Sequence, residues 1–140
     1  MDRARYDEYI KRFNEQDPTA FEEFIAPQFH MQNGTLEFDG QQGMKDHYAK
    51  IWASFREDLT VERFVSDSET VAVQMWTHFT AVKDDPGSLF GPVRAGATFD
   101  FRGLIMYRVQ DDRFTDCLVA YNSFVATDAD GVSTDLGIPH

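Results

Sequence analysis

One long apolar hairpin near the end of the chain constrains everything else. Residues 99–124 read FDFRGLIMYRVQDDRFTDCLVAYNSF, two runs rich in Phe, Tyr, Val and Ile around Asp111-Asp112. Such residues suit a pleated, half-buried surface, and the acidic pair between them predicts a tight hairpin loop. In the first arm Phe99, Phe101, Ile105, Tyr107 and Val109 share one parity with Gly103. Asp100, Arg102 and Arg108 share the other with apolar Leu104 and Met106. An arm that is apolar on both faces needs two coverings, helices on one side and a second subunit on the other. Gly103 inside the arm predicts a bulge that curls the sheet. A curled sheet under helices encloses a cavity.

A chain of 140 residues suits a single domain, taken here as 1–140 with a core at 3–125 and an irregular tail from 126 to 140. Thirteen Phe give it more rings than one small core readily absorbs, so some are expected to line a pocket or an interface. The formal charge of −11 disfavours nucleic acid and anionic membrane surfaces as partners. Cys117 is the only cysteine, so no internal disulfide forms. The start, MDRARYDEYIKRF, has no signal-like apolar centre, and no run reaches the roughly 18 apolar residues of a membrane span. A cytoplasmic location is the expectation.

Tyr6, Tyr9, Ile10 and Phe13 make one helical stripe. Asp17-Pro18 starts a second helix, with Asp17 as its cap, and Pro27 ends it. Short strands over 29–32 and 36–38 flank the turn Asn33-Gly34. Met44, Tyr48, Ile51, Trp52 and Phe55 mark a third helix. The period then changes to two: a strand over 59–65, a turn at 66–68, and a strand over 70–82. A Pro- and Gly-punctuated loop runs from Asp84 to Pro92 before the hairpin. The expected class is α+β, helices packed on one face of a mostly antiparallel sheet.

This order, with NEQDPTAFEEFIAP, FDGQQGMKDHYAKIW and DDRFTDCLVAYNSF at its three stations, resembles the nuclear transport factor 2-like superfamily over residues 3–125. Within it the chain is most similar to the SnoaL-like polyketide cyclases and ketosteroid isomerases. The resemblance implies a cone-shaped curved sheet around the N-terminal helices, an apolar cavity and homodimers through the outer sheet face; separately, no His or carboxylate pair has metal-ligand spacing, and no cofactor or metal is expected. It also implies site positions. The isomerases' oxyanion-stabilising Tyr falls on Tyr9. Their base falls near Asn33, with His30 close by, and their second acid falls on Leu104. The cyclases' Asp, eight residues past Phe114, falls on Asn122, or on Tyr121 or Ser123 if the count slips by one. Neither Asn33, Leu104 nor Asn122 carries a proton at neutral pH.

Histidine is then the natural proton carrier. His30 lies near the base position, and His78 lies two residues from Trp76 on the same strand face. His47 sits on the third helix beside Tyr48, and His140 is terminal; neither enters the candidate set. The candidate catalytic residues are His30, His78, Tyr9 and Asn122, and the candidate ligand contacts are Asn33, Trp52, Trp76, Phe101 and Tyr121. Two function classes stay open. One is acid/base isomerisation, cyclisation or dehydration of a small hydrophobic carbonyl or polyketide-like molecule. The other is a non-catalytic ligand binder or dimeric accessory domain.

Overall fold

The computed structural model describes residues 1–137, and His140 lies outside them. Helices α1 (Arg3–Asn14) and α2 (Thr19–Phe24) lead into β1 (Ile25–Asn33) and β2 (Leu36–Asp39), and α3 (Gly40–Trp52) follows. Strands β3 (Phe55–Ser66), β4 (Thr70–Ala81), β7 (Thr98–Gln110) and β8 (Arg113–Thr127) are the long ones. Between β4 and β7 lies a small hairpin of β5 (Asp85–Ser88) and β6 (Gly91–Val93), where an irregular loop was expected. The tail also departs from expectation: β9 (Ser133–Asp135) pairs with Val125–Thr127, because a chain that turns back beside β8 satisfies its backbone on that open edge.

The main sheet runs β2-β1-β8-β7-β4-β3, antiparallel except for β1 against β8. This is the α+β architecture expected, a large curved sheet with few helices at the N-terminus. Asp111 and Asp112 both take positive φ, 52° and 60°, the backbone of a two-residue hairpin turn. The α1 stripe is buried as its spacing predicts, and Tyr6 meets Tyr107 through their hydroxyls at 3.1 Å. The second helix starts one residue later than its expected cap implies: Pro18 is its N-cap, and Asp17 just before it accepts from the Thr19 backbone N–H at 2.9 Å.

Two features set the curvature and the strand positions around the interior. At Gly103 the pairing of β7 with β8 shifts by one residue, and Asn122 is the extra residue of the bulge. A Cβ at Gly103 would collide with the Ala120 backbone oxygen and lie 2.6 Å from the Tyr121 Cα. The end of α1 also grips the start of β3. Asn14 donates to the Leu59 carbonyl at 3.0 Å and accepts from its N–H at 2.8 Å. Gln16 donates to the Phe55 carbonyl at 3.3 Å. These bonds hold β3 on both sides of residue 57.

Replacing Gly103 with Ala should lower stability by about 2 kcal/mol or more, since backbone rather than a flexible side chain must yield. Denaturant unfolding measures it. An unchanged midpoint would contradict the close strand approach.

Candidate functional site

On β3 the residues alternate inward from Phe55, so Glu57 and Leu59 follow it toward the interior. Glu57 is only 4% exposed, and among the described residues no other acidic or basic side chain is so deeply buried. It borders a narrow inner hollow of about 50 Å³, walled by the helices and the inner sheet face. An outer hollow of about 190 Å³ adjoins it, and the two share Asn33, Leu36, His47, Tyr48, Glu57 and Tyr121. Leu89 and Phe90 of the β5–β6 hairpin, with Ile51, Phe79 and Phe101, complete the outer wall.

The Glu57 carboxyl has an unusual environment. Its Oε2 is buried with no hydrogen-bond partner. The Trp52 indole N–H is buried and equally unpartnered; it lies near enough to favour the carboxylate without closing a bond of ordinary geometry. Burial outweighs that help, and with the nearby Asp58 charge it pushes the Glu57 pKa from 4.5 up to about 8. At neutral pH Glu57 is therefore mainly an uncharged carboxylic acid, able to donate one hydrogen bond and accept others. Its charge, when it forms, opposes ionisation of Tyr9, Tyr48 and Tyr121, whose phenols burial already holds in the protonated form. Thr77 approaches the Tyr121 hydroxyl at 3.5 Å. Burial likewise holds the Cys117 thiol protonated.

His47 is the other titratable group on both hollows with a charge change near neutrality. Burial, then the neighbouring Lys50, lowers its pKa below 6.5. The hollow thus pairs an acid held neutral with an imidazole held neutral.

The sequence candidates divide cleanly. Tyr9, Asn33 and Tyr121 line the inner hollow, Phe101 lines the outer one, and Trp52 stands beside Glu57. His30, His78, Trp76 and Asn122 are not on the lining, a correction to their expected place in one cavity. The reason is strand parity. On β4 the inward residues are Val71, Val73, Met75, Thr77, Phe79 and Ala81, which sends Trp76 and His78 to the outer face. There Asp100 accepts from Trp76 Nε1 at 2.7 Å and contacts His78 Nδ1 at 2.6 Å. On β1 the inward residues are Phe29, Met31 and Asn33. His30 therefore points out, 2.7 Å from Asp39 and 3.3 Å from Glu37, and the Asp39 hydrogen bond raises its pKa. Asn122 is exposed on the bulge.

Glu57 escaped the sequence reading and His47 was set aside in it, although both had a signal. Glu57 shares parity with Phe55, Leu59 and Val61, but a strand begun at Leu59 leaves it in the preceding connection. His47 stands three residues after Met44 and four before Ile51, on their buried face.

The sequence model of the SnoaL-like domain matches residues 6–117. The chain belongs to the SnoaL-like domain family. Comparison with functionally curated sequences finds no match. Solved structures of similar fold are numerous. A candidate polyketide cyclase from Xanthomonas campestris pv. campestris superposes with a TM-score of 0.69 at 20% identity, covering 84% of this chain and 88% of that one. A SnoaL-like polyketide cyclase from Agrobacterium tumefaciens gives 0.66 at 18%, covering 84% and 87%. An LEH-like epoxide hydrolase from M. tuberculosis gives 0.68 at 10%, covering 84% and 80%. At these identities the SnoaL-like fold is what they share with this chain.

Titration of Glu57 should govern how stability depends on pH. Its folded pKa is raised, so between about pH 4.5 and 8 the folded state holds the extra proton. Its contribution is full below pH 4.5 and is lost as pH rises toward 8. Glu57→Gln should flatten this decline, gaining on wild type by on the order of 4 kcal/mol between about pH 5 and 9. Parallel pH profiles of the two proteins in denaturant unfolding would contradict it.

Proposed function

We propose that this SnoaL-like protein binds a small, uncharged, largely apolar carbonyl compound and catalyses enolisation-type chemistry on it, with Glu57 as the acid. The observation that carries the reading is the buried Glu57 carboxyl, which lines both hollows and whose Oε2 has no hydrogen-bond partner. An unsatisfied buried oxygen costs roughly 1–3 kcal/mol, and a ligand that hydrogen-bonds it recovers that loss. A neutral carboxylic acid donating to a ligand's carbonyl oxygen stabilises the charge that grows there when a neighbouring C–H bond breaks. Isomerisation, cyclisation and dehydration of carbonyl compounds can all pass through such an enol. The names of the structural neighbours, polyketide cyclase among them, agree with chemistry of this class.

Size and charge narrow the ligand. Drug-sized ligands occupy hollows of roughly 300–1,000 Å³, larger than the 50 Å³ and 190 Å³ spaces beside Glu57, which favours a single small ring over a fused polyketide. With Glu57 and His47 both neutral, the hollow offers no fixed charge to pair with an ionic substrate. A homodimer is part of the same proposal. Leu104, Met106 and Leu118 are exposed on neighbouring strands of the outer face, 61%, 53% and 49%, and support pairing there.

Exchange of α-protons for deuterium on small cyclic ketones, followed by NMR in heavy water, tests the function. Wild type should accelerate exchange, and Glu57→Gln should lose about 100-fold or more of that acceleration. Ketones that bind without any acceleration would favour the non-catalytic binder.

A further inference from the structure

We infer that His47 is the second proton carrier of this site, the base that takes the carbon-bound proton while Glu57 serves the ligand's oxygen. The inference rests on the reading of Glu57 as the acid. Its first ground is position: His47 and Glu57 are on the walls of both the inner and the outer hollow, so a ligand seated across the two meets both. The second is elimination by chemistry. The remaining polar side chains of the shared wall are Asn33, Tyr48 and Tyr121, and the inner hollow adds Tyr9, Tyr107, Thr77 and Cys117. An amide and a hydroxyl do not accept a proton near neutral pH, and burial keeps the phenols and the thiol in their protonated forms. Only His47 presents an unprotonated basic nitrogen.

The ring is also held in place. It lies against Phe38, centroids 5.0 Å apart and planes 29° from parallel, and meets Tyr48 edge-on at 4.8 Å. A fixed ring plane presents its nitrogen in a fixed direction, as proton transfer over a short distance requires. His47 also borders a third hollow of about 230 Å³, which Asp85, Gly87, Ser88 and Leu89 of the β5–β6 hairpin help to line. The titratable groups on the hollows that His47 borders are Lys50 and Tyr48 from α3, Glu57 from β3, Asp85 from β5 and Tyr121 from β8, with Tyr9, Tyr107 and Cys117 further along the inner one. Asp85 is engaged by Ser54, whose hydroxyl donates to it at 2.6 Å.

The step balances within the site. A lone pair on a His47 ring nitrogen takes the α-proton, and the C–H electron pair becomes the C=C bond of the enol. The carbonyl π pair moves to oxygen, which takes the proton of Glu57. Neutral acid and neutral base become carboxylate and imidazolium. Solvent deuterium then replaces the proton on the imidazolium, and reversal delivers it to carbon.

The test is the pH profile of α-deuterium exchange into cyclopentanone, for wild type, His47→Gln and Glu57→Gln, with ketone binding followed by chemical-shift changes. Wild type should give a bell: exchange rises as an imidazole below pH 6.5 loses its proton and falls as Glu57 ionises near pH 8. His47→Gln should lower exchange by about 100-fold and remove the acid limb while ketone binding persists. Exchange by His47→Gln at the wild-type rate, with Glu57→Gln inactive, overturns the role of His47 and leaves the Glu57 reading standing. A wild-type profile flat through the acid limb overturns it without any variant. No wild-type exchange with this ketone overturns both.

Discussion

The burial of one carboxyl group, with an oxygen left unpartnered, is the constraint around which this interior is built. Moving an ionised carboxylate out of water is so costly that the group keeps its proton instead. Glu57 can occupy such a place only because its surroundings are fixed on every side. The two-way bonds of Asn14 to Leu59 and the bond of Gln16 to Phe55 pin the strand before and after it. Trp52, whose indole approaches the carboxyl, is itself locked between Phe13, Phe21 and Tyr48 at centroid distances of 5.3, 5.9 and 5.4 Å. A looser core would let the chain rotate the acid into water.

The rest of the fold reads as the means of shaping the space before that acid. The Gly103 bulge bends β7 and β8 and sets Tyr121, rather than Asn122, toward the interior. Phe90, on the β5–β6 hairpin, packs on Phe55, Phe79, Phe99, Phe101 and Phe124 and so fixes the outer wall. Many of the thirteen Phe are accounted for here, in a second ring cluster beside the main core. Where such rings exclude water, a hydrogen bond between a ligand and Glu57 would be stronger than the same bond in water.

Much of the fold was legible in the sequence, and the reasons are local. The α1 stripe, the Asp111-Asp112 turn and the bulge at Gly103 each depend on a few adjacent residues. Which face of a strand looks inward does not. Trp76 and His78 alternate with Val73, Met75 and Thr77, all compatible with either face, and pairing between distant strands decides it. The site was harder for the same reason. Tyr9, Asn33, Tyr121 and Phe101 fell on the hollow's walls, whereas His30 and His78 turned outward into surface carboxylate pairs. Glu57 was hidden by its own neighbours: in the run Arg56-Glu57-Asp58 an acid looks like solvated surface, and only its alternation with Phe55 and Leu59 says otherwise.

The protonation state of Glu57 is the quantity everything functional rests on. Carbon-13 NMR of the labelled side-chain carboxyl, followed through a pH titration and assigned by Glu57→Gln, observes it directly. A resonance that stays protonated through neutrality and titrates near pH 8 is the result expected. A carboxyl that ionises at its ordinary value near 4.5 would place charge in the hollow at every working pH and contradict the account.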